Sequence, residues 1–197
     1  RVSLVSQHRG SDAYKQACFR FGGQPAPDIS ADLREHGALV VDVQLCRDLE
    51  PVIVFFREAP AGIHQVVLYN GSLFFGADTR YRVKLRATQR RMPYGVLRDQ
   101  AQLRRLIAAL SVFCSARGGG LAVLELTGLP LGREDQQTLA APLSRCLADL
   151  PSLQRLHLAG CNLHDRGLAV LLPQFMPGSN SSGLPKLSHL SLARNGL

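Results

Sequence analysis

Three stretches of the chain repeat one spacing of apolar positions without gaps. They are Leu121-x-x-Leu124-x-Leu126-x-x-Leu129-x-Leu131, Leu153-x-x-Leu156-x-Leu158-x-x-Cys161-x-Leu163 and Leu187-x-x-Leu190-x-Leu192-x-x-Asn195-x-Leu197, offset by 32 and 34 residues. The fourth and sixth positions fall two apart. A strand sends alternate side chains to one face, so both leucines are predicted to point into a core. The first and eleventh close that core from the flanking loops. The ninth sits where the chain turns off the strand. Asn195 can there hydrogen-bond backbone groups that the turn leaves unpaired; Cys161 does so weakly, and Leu129 cannot.

Between the strands the apolar period lengthens to that of a helix. Leu103, Leu106, Ile107, Leu110, Phe113 and Cys114 form one face, and Gly118-Gly119-Gly120 is expected to end that helix. Leu139, Leu143, Leu147 and Leu150 form the next, after Glu134 and Asp135, which suit a helix N-terminus. Leu168, Leu171, Leu172 and Phe175 form a third, with Asp165 expected as its cap. Pro142 is expected to shorten or kink the second helix.

The pattern L-x-x-L-x-L-x-x-N/C-x-L is that of leucine-rich repeats. The long period predicts an α/β solenoid of the ribonuclease-inhibitor-like type, with parallel strands on the concave side and helices outside. Leucine is unevenly spread, 9 in residues 1–98 and 24 in residues 99–197. The chain is therefore divided into an irregular N-terminal capping part, 1–98, and regular repeats, 99–197. In the first part, Asp12–Phe21 and Ile29–His36 are expected as short helices and Leu39–Leu45 as a strand. Pro51–Phe56 is an apolar run of open type. Ile63-x-x-Val66-x-Leu68-x-x-Gly71-x-Leu73 echoes the repeat in degenerate form. Degenerate capping repeats are preferred here, with a separate small β-rich domain as the competing reading. Opening on Arg1 and ending at Leu197 inside the third copy, the chain is expected to be part of a longer protein.

Composition changes this picture in one place. Lys and Arg number 23 against 15 Asp and Glu, a net charge of +8. Seven of the cations fall between Arg80 and Arg98 with no acid among them: Arg80, Arg82, Lys84, Arg86, Arg90, Arg91 and Arg98. Tyr81, Val83 and Leu85 alternate with the first four, which predicts a strand with one basic face. Such a block attracts an acidic partner, for example the acidic tails of tubulin, or is simply solvated. Only Tyr81 and Tyr94 interleave with the cations, so stacking on single-stranded nucleic acid is not expected. Five dispersed cysteines form no C-x-x-C, which suits reduced thiols in the cytoplasm. No stretch of about 18 apolar residues is present, so no transmembrane helix is expected.

Catalytic signatures are missing from the sequence: no H-E-x-x-H, no phosphate-binding glycine loop and no G-x-S-x-G. No enzyme activity, cofactor or metal is expected. Function is expected instead on the concave side of the strands, where repeat solenoids bind. The residues projecting there are Val123, Glu125, Arg155, His157, His189 and Ser191, and His157 and His189 are expected to approach each other.

The segments LRRLIAALSVFC, LAVLELTGLPLGREDQQTLAAPL and LQRLHLAGCNLHDRGLAVLLPQF resemble the leucine-rich-repeat region of the centrosomal protein of 78 kDa family. PAPDISADLREHGALVVDVQLCRDLEPVI is similar to that family's N-terminal segment. Pro142 and the loop from Pro177 to Gly183 depart from it. The resemblance implies a non-enzymatic scaffold of the cytoskeleton, found at centrosomes, centrioles and ciliary basal bodies, that associates with other centriolar proteins and a ubiquitin-ligase assembly. Competing readings are a GTPase regulator or immune-sensor module of the same repeat class, or an axonemal microtubule-associated repeat protein.

Overall fold

The computed structural model describes residues 4–43, 46, 48–70, 100–132, 137–176 and 184–196. Five short strands, β1 (Ala38–Asp42), β2 (Gln65–Tyr69), β3 (Val123–Thr127), β4 (Arg155–His157) and β5 (His189–Ser191), form one open sheet in chain order. Every neighbouring pair is parallel. The helices are α1 (Leu4–Arg20), α2 (Pro27–His36), α3 (Glu50–Glu58), α4 (Gln100–Arg117), α5 (Gln137–Ala148) and α6 (His164–Phe175). From α3 onward each packs against the next, and α1 and α2 pack on each other beside α3 and β1. The chain is thus an α/β structure whose strand–helix alternation is compatible with a repeat fold.

Alternation along the strands decides which side chains face the helices. Leu39, Val41, Val66, Leu68, Leu124, Leu126, Leu156 and Leu158 are all buried with the helix leucines in one continuous core. The register places the fourth-position residues side by side, Leu39 against Val66, Val66 against Leu124, Leu124 against Leu156 and Leu156 against Leu190. Leu190 differs in environment. It is 42% exposed whereas Leu124 and Leu156 are fully buried. Each inner strand is covered on both sides, and β5 has no described strand beyond it.

The units also repeat their backbone bonds. The carbonyl ahead of each strand accepts two amides from the next unit: His64 from Ala122 and Val123, Ala122 from Gln154 and Arg155, Gln154 from Ser188 and His189, at 2.8–3.2 Å. After the strand the eighth position is left-handed in all three copies, at Gly128 (φ 71°), Gly160 (φ 66°) and Arg194 (φ 59°). Two of the three are glycine, the residue for which this conformation carries no Cβ clash. Asn195 is buried at the ninth position. Its Oδ1 accepts from the amides of Cys161 (2.9 Å) and Leu163 (3.3 Å), and its Nδ2 donates to the carbonyls of Leu158 (2.7 Å) and Leu192 (2.8 Å). One unit earlier, the Cys161 thiol donates to the Leu126 carbonyl at 2.7 Å.

The N-terminal part joins the same sheet through β1 and β2. Its helices are longer than the pattern suggests: α1 begins at Leu4, well before Asp12. The run 51–56 is helical, within α3, and Asp48 Oδ1 accepts the Glu50 amide at its start (3.0 Å). The strand expected over 39–45 ends at Asp42. One helix signal needs correction. Asp165 does not cap α6: Leu163 occupies that position, and Asp165 lies inside the first turn. Pro142 lies inside α5, which continues past it to Ala148. There the burial of Leu143, Cys146 and Leu147 outweighs one lost helical hydrogen bond. Glu134 and Asp135, the loop 177–183 and the residues Gly71 and Leu73 lie outside the described residues.

Burial also makes the stability pH-dependent. Desolvation pushes the Cys161 thiol up to about 12 from its usual 9.0, against the opposing effect of the Leu129 and Gly128 backbones. Burial moves Cys46 and Tyr14 the same way. Above about pH 9 the unfolded chain gives up a proton that native Cys161 keeps. Stability is therefore whole below that pH and declines toward pH 12. One such group accounts for up to about 1.4 kcal/mol per pH unit inside the window. Melting temperatures from pH 7 to 10.5 should fall above about pH 9, and the fall should be shallower in Cys161→Ala. Parallel curves for the two proteins would count against this account.

Candidate functional site

The face of the sheet turned away from the helices is set by the same alternation that builds the core. It holds two rows in register. One runs Ala38, Gln65, Val123, Arg155, His189, and the other Val40, Val67, Glu125, His157, Ser191. Neighbouring residues in a row stand about 4.8 Å apart along the sheet. The six residues expected on this face are therefore brought together, three deep and two wide. Arg155 and His189 are exposed, and Val123, Glu125, His157 and Ser191 are half-buried.

His157 and His189 are diagonal neighbours and not an opposed pair, because His157 faces Ser191 and His189 faces Arg155. The Ser188 hydroxyl donates to the Gln154 carbonyl (3.1 Å) and sits 2.9 Å from His189 Nδ1. With the hydroxyl hydrogen engaged there, the serine oxygen is left to accept from the ring nitrogen. The Ser188 hydroxyl thus bridges the Gln154 carbonyl and the His189 ring at the rim of the face.

The two ends of the face differ. On β1 and β2 the outward positions Ala38, Val40, Val67 and Tyr69 are buried and form a second, small apolar cluster. On β4 and β5 the corresponding positions are polar and open. At the apolar end Asn70, directly after β2, is also buried, with its amide bonded to the Thr127 carbonyl (2.9 Å) and its Nδ2 to that of Gly128 (3.4 Å). Sequence reasoning missed this apolar end. The signal was available in Gln65-Val66-Val67-Leu68-Tyr69, where both faces of one strand are apolar, as in a strand buried on each side.

The acidic-partner set, Arg80, Arg82, Lys84, Arg86, Arg90 and Arg91, lies outside the described residues. Among the described residues no three His, Cys, Asp or Glu groups converge as metal ligands, and all five cysteines are free thiols. No helix among the described residues is long and apolar enough to cross a membrane. Comparison with known proteins returns no matching family model, no matching curated protein and no matching solved structure.

Proposed function

We propose that the chain is a ribonuclease-inhibitor-like leucine-rich-repeat solenoid acting as a non-enzymatic scaffold, and that it binds partner proteins through Glu125, Arg155, His157, His189 and Ser191. The observation that carries this reading is the register. Three successive strands place polar side chains of both signs in two aligned rows on a face opposite the core. An array of that kind offers hydrogen bonds and charges at the spacing of paired strands, and holding them on ordered backbone lowers the ordering cost of binding. By its resemblance to the centrosomal protein of 78 kDa family, the partner is a centriolar or basal-body protein.

The test is recruitment in ciliated cells. The tagged chain is expected to be enriched at basal bodies, and Arg155→Glu/His157→Ala/His189→Glu to lose most of that enrichment. The triple variant should melt within a few degrees of the parent, since Arg155 and His189 are exposed and His157 is half-buried on the side away from the core, and substitutions outside the core typically shift stability by about 0.5 kcal/mol each. A parent protein that stays diffuse removes the centriolar reading. A triple variant recruited as well as the parent removes the strand face as the binding surface.

A further inference from the structure

The last two strand segments of the chain are one-sided in charge. Residues 151–163 and 184–196 carry Arg155, His157, Lys186, His189 and Arg194 and no Asp or Glu, and the whole chain after Asp165 holds no further acid. Three of these groups stand together on the outward face. Arg155 and His157 are two apart on β4, so they project to one side about 6.6 Å from each other along the strand. His189 of β5 lies opposite Arg155. The groups facing His157 are Arg155 on its own strand, Glu125 of β3 beside it and His189 of β5 on the diagonal. Those facing His189 are Arg155 and His157 of β4. Arg155 and His189 are exposed, and His157 is half-buried.

Histidine is the side chain that ordinarily gains its charge between about pH 8 and pH 5. With both rings neutral, Arg155 stands against Glu125; with both protonated, the patch holds three cations and one acid. The Ser188 hydroxyl ties this change to binding. Its oxygen, 2.9 Å from His189 Nδ1, accepts from that nitrogen, which is thereby used as a donor. The ring can then give a second hydrogen, from Nε2 to an anion, only as the imidazolium. Arg155 beside it presents a guanidinium fork that fits the two oxygens of a carboxylate. Alternate side chains of an extended segment repeat at about 6.6 Å, the same step as Arg155 to His157. We propose that the β4–β5 end of the strand face binds an extended acidic segment of a partner protein and takes up protons as it does so. This rests on the strand face being the binding surface and adds the chemistry of what it binds. Affinity rises as pH falls through the imidazole range, in which Asp and Glu of the partner stay ionised down to about pH 5.

Fluorescence anisotropy of the whole chain with rhodamine-labelled hexaglutamate tests it. Binding is expected to tighten about five- to tenfold from about pH 8 to about pH 6. His157→Gln/His189→Gln should remove most of that change and leave the affinity at the higher pH within about twofold of the parent's. Arg155→Gln should weaken binding at both pH values. Arg82→Glu/Lys84→Glu/Arg86→Glu, which reverses part of the cationic block elsewhere in the chain, should keep the ratio between the two pH values. All three variants should melt within a few degrees of the parent. Binding that does not tighten at the lower pH would overturn the proposal, as would a ratio unchanged in the double glutamine variant. Loss of binding on reversing the block, with no effect of Arg155→Gln, would move the site off the strand face. A thymidine hexanucleotide that bound as tightly with the same pH change would overturn the acidic-protein assignment. Recruitment to basal bodies that depends on the face, without pH-dependent hexaglutamate binding, would end the acidic assignment and leave the strand-face reading standing.

Discussion

Leu156→Ala and Leu158→Ala are each expected to cost about 2–5 kcal/mol of folding stability, while Arg155→Ala and His157→Ala cost well under 1 kcal/mol. The four residues are consecutive, so composition and local propensity are nearly held constant, and only the facing differs. Leu156 and Leu158 are fully buried in the core with the helix leucines, so cutting either back removes apolar contacts and leaves a cavity. Leu156 is also flanked in register by Leu124 and Leu190, so its removal thins the core between three strands. Arg155 is exposed, and His157 is half-buried on the face away from the core. Urea unfolding of the four single variants measures the contrast directly. Four equal losses would mean that the strand does not alternate and that the outward rows do not exist as a face. Leu190→Ala, at the same repeat position but 42% exposed, is expected to cost clearly less than Leu156→Ala.

What was legible in the chain follows from how strongly each side chain is constrained. Leu124, Leu126, Leu156 and Leu158 occupy positions that stacking forces to be apolar in every unit, so spacing alone reveals them. The six residues of the candidate face were legible for the same reason, being the complement of that pattern. The helix over Glu50–Glu58 was not. Pro51-Val52-Ile53-Val54-Phe55-Phe56 is rich in β-branched and aromatic residues, and local preference there favours a strand. Burial of Val52, Ile53, Phe55 and Phe56 in the core overrides it, with Phe55 and Phe56 packed edge to face and Phe56 tilted on Phe113 of α4. The early start of α1 was hidden because Leu4–Arg20 has mixed polar and apolar positions and no acid in its first turn. Asp165 misled as a cap because one residue of shift at a helix start changes an N-cap into a first-turn residue, which interacts with the helix dipole and closes no backbone bond. The cavity beside the carboxyl ends of β1 and β2 was illegible altogether: Tyr14 lies in α1, Asp48 in the loop before α3 and Tyr69 in β2, and no spacing in the chain connects them.

Asn195→Ala is expected to cost about 3–5 kcal/mol, as much as cutting back a buried leucine, though it removes hardly any apolar surface. One side chain serves four backbone groups. The amides of Cys161 and Leu163 belong to the preceding unit, as does the Leu158 carbonyl, and the Leu192 carbonyl belongs to its own. Alanine removes the partner of all four, three of them in buried bonds and the Leu192 carbonyl in a partly buried one, and each buried group left unpaired costs about 1–3 kcal/mol, less whatever water penetration restores. The damage should be local. Amide exchange at Cys161 and Leu163 is expected to accelerate strongly, while the strand amides of β1 and β2 keep their protection. Asn195→Cys should recover part of the loss, because the previous unit already uses Cys161 at the same position, with its thiol bonded to the Leu126 carbonyl. Retained protection at Cys161 and Leu163 in the alanine variant would show that the junction between β4 and β5 is held by leucine packing alone. Loss of protection there, with the rest intact, would show that the rigidity of the Arg155–His189 row rests on a polar bracket behind it.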